Sequence, residues 1–350
     1  MALQILDNAT RHETPLGHTF DSWMALHHDA GTPIDDARLE WVDCMRSGIV
    51  PPTINEHLDI QTLSDPDGTT KFLLRLGDGL ETESVVLPLV GKEGRLRHTL
   101  CLSSQVGCAM GCTFCETAQM GLLRNLSPAE IMLQWHVATH HLGYEIRNIV
   151  FMGMGEPLDN VESVIAAIRV LTDRRGPSLS SSRISVSTVG RIDGIRRLSE
   201  FVSDSECRRL RLAVSINAPT DEIRSRIMPL NRAMNMGALH EALVDWCRLH
   251  AGPLLLEYVL IPGVNDSASS AVDLARWVGS LPVRVNVIPY NPRRDSPWPA
   301  PGNQDVEQFV ASLREAGLTV HRRVTQGRSL MAACGQLGNE HIRNRRRIEA

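Results

Sequence analysis

The stretch Cys108-Ala-Met-Gly-Cys112-Thr-Phe-Cys115 places three cysteines on one short segment of a 350-residue chain. Three thiolates so close together suit a 4Fe-4S cluster, because they would bind three irons and leave the fourth open to a small molecule. The alternative is zinc, which prefers four closed ligands, usually in separated cysteine pairs or with histidines. No fourth ligand lies near this segment in the sequence. The spacing therefore predicts an iron-sulfur cluster with an open coordination site.

The sequence around this segment predicts an α/β fold. From Leu100 onward, short apolar runs rich in β-branched residues alternate with helical periodicity, which is typical of βα units on a parallel sheet. About six units indicate a partial (β/α)6 barrel, open and similar to a TIM barrel, with its chemistry at the C-terminal ends of the strands. The predicted strands cover about 99–103, 147–153, 183–187, 211–216, 255–261, 284–288 and 318–324, and the predicted helices about 161–172, 190–201, 235–250, 267–279 and 304–316. A further helix is predicted to start at Ser127-Pro128-Ala129-Glu130, where a serine cap is followed by proline and, three residues after the cap, by glutamate.

The proline content, the strand and helix patterns and the charge of the chain divide it into four segments. Residues 1–70 contain helical pieces broken by prolines and predict a small helical accessory domain. Residues 71–98 predict a β-hairpin extension, since two strand-like runs flank a Gly-Asp-Gly turn. Residues 99–340 form the predicted core, and 341–350 form a basic tail.

Charge and hydropathy limit the classes of protein to consider. The net charge of −4 argues against a uniformly basic nucleic-acid binder, although arginines cluster locally and could bind phosphates or simply cover solvated helices. The chain has no apolar run of 18 residues and no leader pattern at its first residues, so we expect a cytoplasmic protein without a membrane partner. Eight cysteines fit a reducing compartment, where thiols remain available to iron.

Taken together, the motifs resemble one family. The Cys-x3-Cys-x2-Cys spacing is that of radical S-adenosylmethionine (radical SAM) enzymes, and the resemblance over about residues 70–340 is to the radical SAM RNA methyltransferases RlmN and Cfr, which modify adenine carbons. It implies a radical SAM barrel, one 4Fe-4S cluster and S-adenosylmethionine. The matching segments are 101–108 (CLSSQVGC), 151–158 (FMGMGEPL), 187–190 (STVG), 215–219 (SINAP), 265–266 (ND), 288–292 (IPYNP) and 332–337 (AACGQL).

The resemblance also implies a substrate and partners. We expect methylation of adenine C2 in 23S ribosomal RNA, with transfer RNA as a further substrate, and an electron donor such as flavodoxin or ferredoxin. The accessory domain is then a candidate for RNA contact. The implied iron ligands are Cys108, Cys112 and Cys115, and the implied S-adenosylmethionine contacts are Gly155, Glu156, Ser187, Ser215, Ile216, Asn217 and Asn291.

Two further cysteines are explained by the target atom. Adenine C2 and C8 are poor nucleophiles, so a methyl group must arrive by a radical route, through a thiol that is first methylated by displacement. Cys334 is the predicted S-methylcysteine, and Cys101 is predicted to resolve the protein–RNA adduct through a transient disulfide. Plain core burial is the alternative for each cysteine. Glu83 matches a family glutamate that accepts a proton, although by itself it would be an ordinary exposed strand residue.

Smaller features leave alternatives open. Glycines around Gly155 would let the backbone approach a ligand, while the carboxylate of Glu156 could bind an amino group. Phe114 could pack near an adenine or belong to the core, and Asn217 stands where the family usually has a histidine.

Two rival functions remain. One is Cfr-like methylation of adenine C8 in 23S ribosomal RNA. The other is a non-catalytic iron-sulfur or zinc protein that binds RNA, which would not require Cys334, Cys101 and the Gly155-Glu156 turn together.

Overall fold

A ten-stranded sheet organises the described part of the chain, which comprises residues 14–50, 58–90, 94–250 and 252–338 of a computed structural model. Its strand order is β1-β2-β3-β4-β7-β8-β9-β10-β11-β12, and β5 pairs separately with β6. The strands are β1 (Asp59–Ser64), β2 (Thr70–Arg75), β3 (Glu81–Val90), β4 (Leu96–Cys101), β5 (Gln105–Gly107), β6 (Leu122–Asn125), β7 (Ile146–Phe151), β8 (Ile184–Thr188), β9 (Arg211–Ser215), β10 (Leu254–Leu260), β11 (Val283–Pro289) and β12 (Val320–Arg322).

Every neighbouring pair from β4 to β12 in this order is parallel, which confirms the predicted partial barrel. The two ends of the sheet, β1 and β12, do not pair with each other, so the barrel is open. Strands β8 and β9 are buried along most of their length, as expected for parallel strands covered on both faces. The chain therefore brings the C-terminal ends of seven strands to one edge.

Helices connect the parallel strands. The helix at 128–136 begins as its sequence predicts, because Ser127 Oγ accepts a hydrogen bond from Glu130 N and Glu130 Oε2 accepts one from Ser127 N. Two short helices, Glu116–Met120 and Asp221–Ile227, were not predicted, because fewer than eight residues give no helical periodicity. The helices are α1 (Phe20–Asp29), α2 (Ile34–Val42), α3 (Glu116–Met120), α4 (Pro128–His136), α5 (Val161–Thr172), α6 (Ile192–Ser203), α7 (Asp221–Ile227), α8 (Met236–Leu249), α9 (Ala268–Val278) and α10 (Asn303–Glu315).

An antiparallel extension precedes the barrel. Strands β2 and β3 form the predicted hairpin, and β3 pairs with β4 to join it to the parallel sheet. Strand β1 lies inside the segment 1–70, where the sequence predicted helical pieces and no strand was predicted. The strand was missed because its residues are mostly exposed and polar and show no apolar alternation. The division into domains stays a prediction, and the basic tail 341–350 lies outside the described residues.

The two N-terminal helices share one hydrophobic core with the barrel. Trp23 and Trp41 are buried, and Trp41 Nε1 donates a hydrogen bond of 2.9 Å to the carbonyl of His18. Trp41 also lies against Gly176 after α5, where an added Cβ would come within 2.6 Å of the indole ring. A bidentate ion pair between Asp21 and Arg175 joins the same surfaces. Among the described residues, no helix has both the length and the apolar character needed to cross a bilayer.

We expect Trp41→Ala to lower the free energy of unfolding by about 3–5 kcal/mol, because it removes a large buried side chain. Chemical denaturation measures the loss. Leu39→Ala, on the same helix and 60% exposed, is the control and should change stability by less than about 0.5 kcal/mol. Equal effects of the two variants would show that α2 does not pack on the barrel.

Candidate active site

A cavity of about 150 Å³ opens at the C-terminal ends of the parallel strands. It brings together nine of the predicted site residues from segments far apart in the sequence. Those lining it are Cys108, Cys112, Cys115, Gly155, Glu156, Ser187, Ser215, Asn217 and Cys334. Phe114 also lines it, so its side chain is available to a ligand. Cys101, Glu83, Ile216 and Asn291 are buried and are not among the lining residues.

The three-cysteine loop joins β5 to α3. It is closed by a hydrogen bond of 3.0 Å from Cys108 N to the carbonyl of Gly121, and by one of 3.2 Å from Cys115 N to the carbonyl of Cys112. Gly107 must be a glycine, because its φ is +77° and a Cβ would lie 1.9 Å from the Gly121 oxygen. The loop is thus fixed at both ends.

The thiols of this loop suit an iron-sulfur cluster. Burial, together with the neighbouring Cys115, raises the pKa of Cys108 to about 12 and also raises the pKa of Cys112. Such thiols ionise when a metal replaces the proton. No group of three or more His, Cys, Asp or Glu side chains within the described ranges converges as ligands of a single metal ion. Cluster thiolates need not converge, because each binds a different iron.

The glycine turn after β7 packs on the segment that follows β4. A Cβ on Gly153 would lie 2.6 Å from Ser103 Oγ, and one on Gly155, whose φ is +97°, would lie 2.5 Å from Gln105 Cβ. We expected these glycines to admit a ligand. Although both line the cavity, the close approach they allow is to the protein's own chain.

Glu156 is a buried carboxylate held by its own chain. Its Oε1 accepts a hydrogen bond from Leu158 N at 3.0 Å, and its Oε2 accepts one from Val189 N at 2.8 Å. Burial raises the pKa of Glu156 to about 7, although these bonds and one from the Thr188 hydroxyl oppose the shift. A cationic ligand beside it would favour the ionised form.

Asn217 has a structural use that sequence reasoning did not reveal. Its φ is +53°, a left-handed conformation that asparagine tolerates better than most residues. Its Oδ1 accepts a hydrogen bond of 2.8 Å from Val259 N, and its carbonyl accepts one of 2.7 Å from Asn265 Nδ2. The amide oxygen therefore joins the end of β9 to β10 and is already engaged within the protein.

Arg224 is another residue that the sequence did not single out. It is fully buried, and its guanidinium donates hydrogen bonds to Asn231 Oδ1 at 2.8 Å and to three backbone carbonyls. The carbonyls belong to Val189, Ser215 and Ile216, at 2.5, 3.2 and 3.1 Å. Burial lowers the pKa of Arg224 to about 10. One side chain thus fixes the ends of β8 and β9, where the cavity wall lies.

The loop that carries Cys334 is hydrogen-bonded to α3, which directly follows the three-cysteine loop. Glu116 N donates a hydrogen bond of 2.7 Å to the carbonyl of Gly335, and Thr117 Oγ1 donates one of 2.6 Å to the carbonyl of Leu337. Cys334 retains exposed surface and lines the cavity. Enclosure raises the pKa of its thiol, while the charge of Arg323 opposes that rise.

Cys101 lies at the end of β4, buried in the core but electrostatically coupled to Cys334. Burial raises the pKa of Cys101 to about 12, and the charge of Cys334 adds to the rise. The Cys101 thiol is thus a core residue within range of the charge on Cys334, and its resolving role stays a prediction.

Glu83 is buried, so the alternative that it is an ordinary exposed strand residue is wrong. It is 2% exposed, and its Oε1 forms an ion pair of 3.3 Å with Lys71 Nζ. Its Oε2 accepts a hydrogen bond of 3.0 Å from Gly338 N. The Glu83 carboxylate therefore binds the backbone of the loop that carries Cys334, but it does not line the cavity.

Comparison with known proteins agrees with this geometry. Residues 102–275 match the model of the radical SAM superfamily. A crystal structure of a radical SAM methyltransferase from Sphaerobacter thermophilus superposes with a TM-score of 0.83 and 34% identity, over 92% of this chain and 98% of that one. A probable dual-specificity RNA methyltransferase RlmN 1 from Protochlamydia amoebophila is 40% identical over 95% of both chains. This chain belongs to the RlmN/Cfr family of radical SAM RNA methyltransferases. A dual-specificity RNA methyltransferase RlmN from Nitratidesulfovibrio vulgaris is 44% identical over 77% of this chain and 74% of its own length.

Membership of the family implies a 4Fe-4S cluster and S-adenosylmethionine. The cavity fits both groups, because its wall supplies three soft thiol ligands and a carboxylate able to receive a cation. The roles of Arg224 on α7 and of Asn265 after β10, which bond the backbone at the strand ends of this wall, are visible only in the structure. No sequence pattern indicates that an arginine will be buried. The Asn265-Asp266 motif was recognised in the sequence, but the sequence did not indicate what Asn265 does.

We expect Arg224→Met to lower the free energy of unfolding by about 3–5 kcal/mol, because it leaves three buried or partly buried carbonyls without their donor. Denaturant titration measures the change. Arg226→Met, an exposed position on the same helix, is the matched control and should alter stability by less than about 0.5 kcal/mol. If the two variants were equally stable, the cavity wall would not depend on the buried guanidinium.

Proposed function

We propose that this enzyme methylates C2 of an adenosine in 23S ribosomal RNA, with transfer RNA as a second substrate, and that Cys334 carries the methyl group. The observation that carries the proposal is that Cys334 shares one cavity with the three cysteines of the cluster loop and with Glu156. The relatives, which are named dual-specificity RNA methyltransferase RlmN, support RNA methylation, and the choice of C2 follows from the resemblance to RlmN described above.

The roles of the cavity residues follow from their chemistry. Cys108, Cys112 and Cys115 hold the cluster, and Glu156 receives the ammonium group of S-adenosylmethionine. When bound, the cluster and S-adenosylmethionine supply a methyl group and a 5'-deoxyadenosyl radical, with electrons from a donor such as flavodoxin or ferredoxin. The remaining proposed contacts to S-adenosylmethionine are Gly155, Ser187, Ser215, Ile216, Asn217 and Asn291.

Cys334 and Cys101 act at successive steps of methyl transfer to the adenine. The Cys334 thiol loses its proton and accepts a methyl group by displacement. The S-methyl group gives a hydrogen atom to the 5'-deoxyadenosyl radical, and the resulting carbon radical adds to C2 of the adenine. Glu83 takes the ring proton, which requires its contact with Gly338 to open once RNA is bound, and the one electron left on the adduct would pass to the bound cluster. The Cys101 thiolate then attacks the sulfur of Cys334, and the electron pair of the carbon–sulfur bond passes to the methylene carbon, which takes a proton and becomes the methyl group. The resulting disulfide is transient, because an external thiol would reduce it for the next turnover.

The proposed function is tested by nucleoside and fragment mass spectrometry of RNA from cells with and without the gene. We expect 2-methyladenosine at one position of 23S ribosomal RNA, and in transfer RNA, only when the gene is present. The Cys334→Ala variant should cleave S-adenosylmethionine without restoring the methyl group. Finding 8-methyladenosine instead would establish the Cfr-like alternative, and methylation by Cys334→Ala would contradict the proposed carrier.

We expect Cys101→Ala to stall after the methyl carbon has joined the adenine, because the other thiols of the cavity, Cys108, Cys112 and Cys115, are committed to the cluster. RNA should then remain covalently attached to the peptide containing Ala332 to Leu337, as a ribonuclease-sensitive mass increment. Cys44→Ala, which removes a buried cysteine of the N-terminal region, is the control and should leave no adduct. Normal turnover by Cys101→Ala would make Cys101 a structural residue.

We expect the affinity for S-adenosylhomocysteine to fall between pH 7 and pH 5.5, approaching about tenfold per pH unit. The pKa of Glu156 is raised to about 7, so the free carboxyl is protonated below that pH, whereas the ligand's ammonium group requires its ionised form. Calorimetric titration of the anaerobically reconstituted protein measures this dependence. Glu156→Gln should bind weakly with a flat profile, and an unchanged slope in that variant would assign the titration to another group.

A further inference from the structure

Glu257 is a second carboxylate in the cavity wall, and none of the roles above uses it. Glu156 and Glu257 are the two acidic residues among those lining the cavity, and the described lining includes no lysine, arginine or histidine. The two carboxylates differ in their surroundings. Glu156 is surrounded by donors from its own chain, whereas one oxygen of Glu257 has none.

The sheet fixes the position of Glu257. In β10 its neighbours Leu256 and Tyr258 are fully buried in the hydrophobic core, while Glu257 and Val259 line the cavity, as alternation along a strand requires. The register places Glu257 beside Ser215 of β9 and Asn286 of β11. The carbonyl of Glu257 also accepts a hydrogen bond of 3.0 Å from Ile216 N, which holds its backbone to the end of β9.

The side chain is held at one oxygen and left unsatisfied at the other. Asn286 Nδ2 donates a hydrogen bond of 2.8 Å to Oε1. The residue is only 4% exposed, and its Oε2 is buried without a hydrogen-bond partner. Burial raises the pKa of Glu257, and the charge of Arg323 opposes that rise. Buried polar atoms are nearly always paired, so an oriented, unpaired acceptor in a cavity wall calls for a donor from a ligand.

We propose that Glu257 is a ligand-recognition residue whose Oε2 accepts a hydrogen bond from a ribose hydroxyl of S-adenosylmethionine. This inference rests on the proposed function, in which S-adenosylmethionine occupies the same cavity. Its ammonium group goes to Glu156, so the neutral hydroxyl donors of its ribose remain to be bound. Carboxylates that accept a ribose hydroxyl of a bound nucleotide recur in α/β folds. Ser215, opposite Glu257 in the register, adds a second polar group at the same level.

The test compares three ligands on three proteins by calorimetry under anaerobic conditions. The ligands are S-adenosylhomocysteine and its 2'-deoxy and 3'-deoxy analogues, and the proteins are the unchanged enzyme, Glu257→Leu and Glu257→Gln. One deoxy analogue should bind the unchanged enzyme about tenfold to a hundredfold more weakly than S-adenosylhomocysteine, as expected for a lost hydrogen bond to a charged group. Glu257→Leu should bind all three ligands about equally. Glu257→Gln, which keeps a neutral acceptor, should be intermediate.

Controls separate recognition from folding. Thermal unfolding should show that Glu257→Leu remains folded, and Glu162→Gln, an exposed position on α5, should bind like the unchanged enzyme. If both deoxy analogues lost the same affinity in the unchanged enzyme and in Glu257→Leu, the inference would be wrong.

A second experiment, with RNA as the ligand, tests whether Glu257 binds the target adenosine of the RNA instead of S-adenosylmethionine. Binding of a transcribed 23S ribosomal RNA fragment, measured by fluorescence anisotropy, should be the same for the unchanged enzyme and Glu257→Leu. Weaker RNA binding with unchanged binding of S-adenosylhomocysteine would assign Glu257 to the target nucleotide and overturn the inference. The hydroxyl dependence can hold even if RNA is not methylated, so failure of the proposed function is separately visible.

Discussion

The contact between the turn after β7 and the segment after β4 holds the rest of the site in place. Gly153 N donates a hydrogen bond of 3.0 Å to the carbonyl of Leu102, and Met154 N donates one of 2.8 Å to Ser103 Oγ. Glu156 N then donates one of 2.8 Å to Gln105 Oε1. Because the first segment leads directly into the cysteine loop and the second carries Glu156, these bonds fix the two halves of the cavity relative to each other. Larger residues at 153 or 155 could not approach so closely.

The loop that carries Cys334 depends on elements outside the parallel barrel. Glu83 of β3 binds Gly338, and Asp67 in the turn between β1 and β2 accepts a hydrogen bond of 2.9 Å from Gly327 N. A further hydrogen bond joins Ser329 to Asp65. The antiparallel extension thus serves as the support on which the Cys334 loop rests.

Charge is distributed unevenly around the cavity. Its lining contains thiols and two carboxylates, while Arg224 and Arg323 lie behind the wall and act through backbone carbonyls or through space. Burial keeps the thiols protonated in the absence of ligands, as the raised pKa values of Cys101 and Cys108 show. The cavity is therefore prepared for cationic or metal partners, because each would allow a buried acid or thiol to ionise without an unpaired charge.

The sequence by itself determined the local features of this protein. The cysteine spacing, the Ser127 capping box and the alternation of strands and helices depend on neighbours in the chain, so the open parallel barrel and the residues of its cluster loop followed from them. The tertiary structure alone decided which distant groups meet. It buried Glu83 against Lys71, used the side chain of Asn217 to join two strands, placed Arg224 behind the wall and left one oxygen of Glu257 without a partner. None of these has a sequence signal, because burial and hydrogen-bond pairing depend on strand register and on contacts between residues far apart in the chain. Strand β1 was missed for the same reason, since its place is set by main-chain pairing with β2 and not by an apolar pattern of its own.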